Sequence, residues 1–249
     1  MSWIAWVAEP EAWIALATLT LLEIVLGVDN IIFISILVGR LPAEQRDRAR
    51  RIGLALAMGS RLLLLLSITW VMRLTQPLFE VFGTEISGRD LILIVGGLFL
   101  IGKSTHEIHN SLEGHEEGRQ SRVGTSYLSI LAQITVLDIV FSLDSVITAV
   151  GLAKHLPVMV IAVVIAVGVM MFSARALGNF VDRHPTIKML ALSFLILIGV
   201  SLFAEGFKLH IPKGYIYFAM AFSVAVEIIN LKLRAKATEP VHLRKALHE

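Results

Sequence analysis

"LLEIVLGVDNII", residues 21–32, and "VLDIVFSLDSVI", residues 136–147, decide how this chain is read. Each lies in an apolar run long enough to cross a bilayer, which takes roughly 20 residues. Yet the first holds Glu23, Asp29 and Asn30, and the second Asp138, Asp144 and Ser145. A carboxylate at mid-membrane costs about 2.5–3.5 kcal/mol on insertion scales. Groups placed there need a partner, a proton, water or a metal ion.

The two stretches are copies of one another. Shifted by 115 residues, Thr18 meets Gln133, Thr20 meets Thr135 and Glu23 meets Asp138, while Gly27 meets Ser142, Asp29 meets Asp144 and Asn30 meets Ser145. Apolar segments share Leu and Val by chance, but two acids at one spacing are a repeat. The second helices share only "MGSR" (58–61) with "MFSAR" (171–175), and the third only "IG" followed by an acid, Glu107 or Glu205.

The rest of the chain suits a membrane protein. Of its 249 residues 56% are hydrophobic and 17% charged, against about 45–50% and about 25% in soluble domains. Mean hydropathy is +0.76. Seven spans are expected, at about 13–38, 52–72, 89–106, 126–151, 156–178, 187–205 and 214–233. The predicted fold is therefore an all-α membrane protein, a single transmembrane domain over 1–249. It has two inverted three-helix repeats, at about 13–110 and 126–210, a seventh helix at about 214–233 and a tail over 234–249. Three spans per copy is odd, so the copies enter the membrane from opposite sides, a transporter architecture. Sixteen Lys and Arg fall in the loops on one side of the membrane and five on the other. By the positive-inside rule the N-terminus is outside and the C-terminus cytoplasmic. "MSWIAWVAEPEAW" has no positive n-region and does not read as a signal peptide.

There is no Cys, which excludes disulfides and thiolate metal sites. No P-loop, dinucleotide fingerprint or nucleophile motif is present. The chain is read as no enzyme, with no cofactor and no nucleic-acid partner, and any transport as secondary. Its partners would be the lipid bilayer and a divalent metal ion. Residues seven apart, 23 with 30 and 138 with 145, share a stripe on a helix. Gly27 and Ser142 are expected to unwind or kink their helices locally so that the acids of each face one cavity. Glu23, Asp29, Asn30, Asp138, Asp144 and Ser145 then form an all-oxygen set, which suits Mn²⁺, Mg²⁺ or Ca²⁺. Arg61, inside span two, is the possible charge partner. The rival is that Arg61 or Arg175 merely neutralises the acids to hold the helices together, or that they form a pure proton pathway.

These motifs resemble the TerC family of integral membrane proteins, named for tellurium resistance, and in particular its short bacterial members without a fused soluble domain. "GGLFLIGKSTHEIHNSLEG", "DSVITAVGL", "VIAVGVMMFSARALGNFVDRHPTIKMLALSFLILIGV" and "PKGYIYFAMAFSVAVEIINL" fit the same subgroup. The resemblance implies a seven-helix bacterial inner-membrane fold in the broad superfamily of lysine exporters, and metal-ion efflux. Carried over position by position, the acidic motif residues are Glu23, Asp29 and Asn30 with Asp138, Asp144 and Ser145. The expected function is export of a divalent cation, Mn²⁺ first, against protons. The alternatives are export of a small organic cation or amino acid, and a membrane scaffold in metal or tellurite stress resistance.

Lesser candidates carry bland alternatives. His106, Glu107, His109, His115, Glu116 and Glu117 are either a solvated helix end or a weak funnel for divalent cations. Lys103 reads as an interfacial snorkeller. Asn179 and Asp182 are structural or gate residues. Glu227 pairs with Lys232 or Arg234, or faces the bundle. Trp3, Trp6, Trp13, Tyr215 and Tyr217 suit an outer aromatic belt, and Gly96 and Gly97 suit close helix packing.

Overall fold

The computed structural model describes residues 5–81, 83–113, 126–153 and 155–236. After a short 3₁₀ turn at Ala5–Ala8 come α1 (Pro10–Val38), α2 (Ala43–Leu66), α3 (Ile68–Arg73), β1 (Pro77–Val81), β2 (Thr84–Ser87), α4 (Gly88–Leu112), α5 (Tyr127–Leu152), α6 (Leu156–Arg183), α7 (Pro185–Gly206) and α8 (Lys213–Lys236). The chain forms two compact units, Met1–Ile211 and Pro212–Glu249. In the second, α8 is a single helix with exposed Phe218, Phe222, Ile229 and Leu233. Its Glu227 accepts a hydrogen bond from Asn230 (3.5 Å). Trp3 and the tail 237–249 lie outside the described residues, as does the side chain of Arg234.

Helix starts follow local chemistry. Pro10 and Pro185 open α1 and α7, where a missing N–H costs nothing. A capping box opens α4. The Ser87 hydroxyl accepts from the Asp90 N–H (3.3 Å), and the Asp90 carboxylate accepts from the Ser87 N–H (2.9 Å). Six helices are long and apolar enough to cross a membrane: α1, α4, α5, α6, α7 and α8. The segment expected as span two behaves differently. Its helix begins nine residues early, at Ala43, with Arg46, Arg48, Arg50 and Arg51 in its first turns. The apolar part then runs only from Ile52 to Ser67, where the Ser67 hydroxyl back-bonds to the Leu63 carbonyl (2.7 Å) and the chain turns into α3.

Two further features depart from the sequence reading. The all-α expectation did not include the antiparallel β1–β2 hairpin. Gly83 (φ +77°) makes its turn possible. The local unwinding expected at Gly27 and Ser142 is not there, because α1 and α5 run helical through both. Gly27 serves packing instead: a Cβ there would lie 2.1 Å from the Met170 sulfur on α6.

In the first unit, α4 packs on α7, α1 on α6 and α2 on α5, with further contact between α1 and α5 and between α2 and α6. Exchanging α1 with α5, α2 with α6 and α4 with α7 leaves this set of pairings unchanged. The α4–α7 contact is made by glycine, as the "GG" of α4 led one to expect. A Cβ on Gly97 would stand 2.5 Å from the Gly199 carbonyl oxygen, and one on Gly199 2.9 Å from that of Gly97. Backbone meets backbone there, so neither side can yield. Gly97→Val is expected to destabilise the folded protein by about 3 kcal/mol, seen as a lower melting midpoint in detergent, whereas Gly102→Val, facing open space, changes it little.

The distribution of polarity is that of a membrane protein. Leu21, Leu63, Leu66, Val95, Leu128 and Phe172 are exposed, while Glu23, Asn30, Arg61, Asp138, Ser142 and Ser145 are buried. Apolar surface on this scale serves contact with lipid rather than water.

Candidate ion site in the helix core

Arg61 is the hub of the polar core. Its side chain comes from α2 and is 2% exposed. One guanidinium nitrogen, Nη1, binds the Glu23 carboxylate of α1. Nε and Nη2 both donate to Asp138 Oδ1 of α5, at 3.1 and 3.0 Å. Glu23 and Asp138, each 3% exposed, thus flank a single cation. They are one of the two acid pairs that the 115-residue shift superposes.

Asp138 is saturated with donors. Besides Arg61, Asn30 Nδ2 donates to Oδ1 (3.2 Å), and the hydroxyls of Ser60 and Ser142 donate to Oδ2 (2.8 and 3.1 Å). Three helices supply these groups, so the network ties α1, α2 and α5 together. The trio of Glu23, Asp138 and Arg61 keeps one net negative charge. Burial screens these charges little from one another, so the interaction between them is strong.

Of the predicted site residues, Glu23, Asn30, Asp138 and Arg61 come together. Ser145 is buried, but its hydroxyl donates to the Ser142 carbonyl (3.2 Å) rather than to the acids. Asp29 and Asp144 sit on α1 and α5, and their side chains lie outside the described residues. Arg175 takes no part in this cluster. It is largely exposed and pairs with Asp47 (3.6 Å). Among the described residues no group of three His, Cys, Asp or Glu converges as a metal cage. Sequence reasoning missed the roles of Ser60 and Ser142 as donors to Asp138. The available signal was spacing, since Ser142 lies one turn after Asp138 and Ser60 directly precedes Arg61.

The lesser candidates resolve differently. Helix α4 extends through His106, Glu107 and His109, so these residues are helix rather than loop. Glu107 is buried and binds Arg40. His106 is exposed, and His109 lies beside Glu113 (3.4 Å). His115, Glu116 and Glu117 lie outside the described residues. Lys103 is half-buried within electrostatic reach of Arg40 and Glu107. Arg40, Glu107 and Asp182 help to line a cavity of about 580 Å³, while Asn179 is exposed. Near the N-terminus, Trp6 and Trp13 meet as a tilted pair with ring centroids 5.6 Å apart.

The integral membrane protein TerC family matches residues 8–239. The chain belongs to the TerC family. It is 66% identical over 227 residues to the UPF0053 inner membrane protein YgdQ of Escherichia coli, covering 91% of this chain and 95% of that one. It is 65% identical over 232 residues to a UPF0053 protein of Haemophilus influenzae, covering 92% and 97%. Over 244 residues it is 50% identical to the inner membrane protein YoaE of Escherichia coli, covering 96% of this chain but 47% of that longer one. No solved structure matches the chain. As a family member, this chain carries the buried Glu23–Arg61–Asp138 arrangement as its own central feature.

Proposed function

We propose that this TerC-family chain is a secondary transporter that exports a divalent metal cation, Mn²⁺ first among candidates, in exchange for protons. One observation carries the reading: a buried guanidinium bridges the two repeat-related carboxylates, Glu23 and Asp138. A guanidinium occupying that place marks it as one built to hold positive charge. A dication between the same carboxylates would neutralise both, leaving Arg61 to withdraw as the ion arrives and return as it leaves. Asp29 and Asp144, each one residue before Asn30 or Ser145, would add negative charge while the ion is bound. Protonation of a carboxylate weakens its hold on a cation, which provides the coupling to protons.

The inverted-repeat architecture belongs to the same proposal. Shifted by 115 residues, Pro10–Val38 falls on 125–153 and Ala43–Leu66 on 158–181, close to the bounds of α5 and α6. The exchangeable helix pairings support two copies rocking against one another about the site. On this reading α2 with α3 completes a seventh crossing. We place the protein in the bacterial inner membrane, as the names of its relatives suggest, with the N-terminus outside and the C-terminus in the cytoplasm.

An exporter of organic cations would need a roomier pocket. Around Asp138 stand instead Ser60, Ser142, Asn30 and the Arg61 guanidinium, all within hydrogen-bond distance. The test is uptake into inverted membrane vesicles of Mn²⁺ against Mg²⁺, Ca²⁺ and lysine. Mn²⁺ uptake is expected in vesicles bearing the protein and is expected to be lost with Asp29→Asn or Asp144→Asn. Unchanged uptake in both variants would overturn the metal site, and a purely scaffolding protein would give no uptake at all.

A further inference from the structure

We infer that the groove between α2 and α6 is a binding site for the headgroup of an anionic phospholipid. Asp47, Arg50, Arg51 and Leu54 of α2 face Met171, Phe172, Ala174 and Arg175 of α6 across a cavity of about 360 Å³. Three arginines and one aspartate leave it a net charge of two positive. Asp47 does not consume them. It accepts from Arg50 Nη1 (3.2 Å) and faces Arg175 Nε (3.6 Å), while Arg51 Nε reaches only the Asp47 backbone carbonyl (3.4 Å).

Arg50 makes this more than a charged surface. It is 4% exposed, and its Nε is buried without a hydrogen-bond partner. A buried donor without an acceptor is unfavourable, and the guanidinium that carries it helps to line the adjoining cavity, where a phosphate would sit against it. Gly178 provides the room, since a Cβ there would lie 2.6 Å from Arg50 Nη2. The guanidinium is therefore seated by backbone packing rather than free to leave for water.

The order of residues along the helices selects the source of the phosphate. Helix α2 begins, and α6 ends, on the side that carries the arginines. Asp47, Arg50, Arg51 and Arg175 lie toward those ends, and Leu54, Met171 and Phe172 lie about one turn deeper. Phe172 is 90% exposed. A polar level above an apolar level matches a lipid with its phosphate at the interface and its acyl chains below. Basic pockets between membrane helices bind lipid headgroups in this manner. A free phosphate ion would leave the apolar level unused.

The experiment uses the full chain in neutral detergent, titrated with phosphatidylglycerol, phosphatidylcholine or inorganic phosphate and read by native mass spectrometry and melting midpoint. Wild type is expected to bind phosphatidylglycerol in preference to phosphatidylcholine. Each interfacial arginine is worth roughly fivefold in lipid affinity, so Arg51→Gln with Arg175→Gln is expected to weaken phosphatidylglycerol binding about 30-fold. Both replaced side chains are exposed, so the double variant should melt like wild type in phosphatidylcholine alone. Equal binding of the two lipids by wild type, or an unchanged preference in the double variant, would overturn the site. Stabilisation by inorganic phosphate equal to that by phosphatidylglycerol would overturn the lipid assignment.

Discussion

Arg61→Ala lowers the stability of the folded protein by about 3–5 kcal/mol, because it leaves Glu23 and Asp138 buried and uncompensated. In neutral detergent this is expected as a fall in melting midpoint of roughly 10 °C. Nothing else among the described residues stands between the two carboxylates to replace the guanidinium. The remaining donors to Asp138 are neutral, namely Asn30, Ser60 and Ser142. The loss belongs to stranded charge rather than to the missing side chain. Arg61→Met combined with Glu23→Gln and Asp138→Asn therefore recovers most of it, as replacement of a whole buried ion pair commonly does. A triple variant that melts as low as Arg61→Ala would show that the cost lies in packing volume instead. The recovered triple variant is also expected to be inactive in vesicle uptake, which separates the fold from the ion site.

The second large effect is on transport. Asp138→Asn keeps the shape of the side chain but removes one of the two carboxylates that flank Arg61, and turns an amide N–H2 toward donors that Asp138 accepts from. Ligand-shell changes commonly cost 10–100-fold in metal affinity, and loss of a carboxylate that meets the ion should reach at least the upper end. Initial Mn²⁺ uptake at low concentration is expected to fall about 100-fold, with Glu23→Gln giving a similar loss. Asp138→Asn also frees Arg61 from one partner while Glu23 still holds it, so the variant should fold. Uptake within twofold of wild type for both variants would remove the carboxylates from the ion path and leave them as structural partners of Arg61.

Sequence and structure part company at identifiable places. Glu23, Asn30 and Asp138 were legible because acids in apolar runs are costly, and because one shift superposes them. Arg61 was legible as a partner because it lies inside an apolar span. The unwinding expected at Gly27 and Ser142 did not form, since both residue types have other uses inside a helix. Gly27 admits the Met170 sulfur, and Ser142 turns its hydroxyl to Asp138 one turn back. Neither use leaves a mark on local propensity. The β1–β2 hairpin was hidden by expecting all polar connections to be loops, although Gly83 marks its turn. The helix over span two starts earlier than the sequence suggested, because the arginines before it read as a loop. Arg50 in fact lies within the helix, buried against Gly178 of α6.

By itself, the sequence determined that this chain is a helical membrane protein built on a duplicated acidic motif. Hydropathy and a self-match of acids at one spacing are both local, one-dimensional properties. Only the tertiary structure decided which charges meet. It gave Arg61 to Glu23 and Asp138, sent Arg175 to Asp47 instead, and took Glu107 out of the histidine cluster to bind Arg40. The physical reason is that pairing energy falls with distance and rises with burial. Neither quantity exists until helices far apart in the chain are packed side by side.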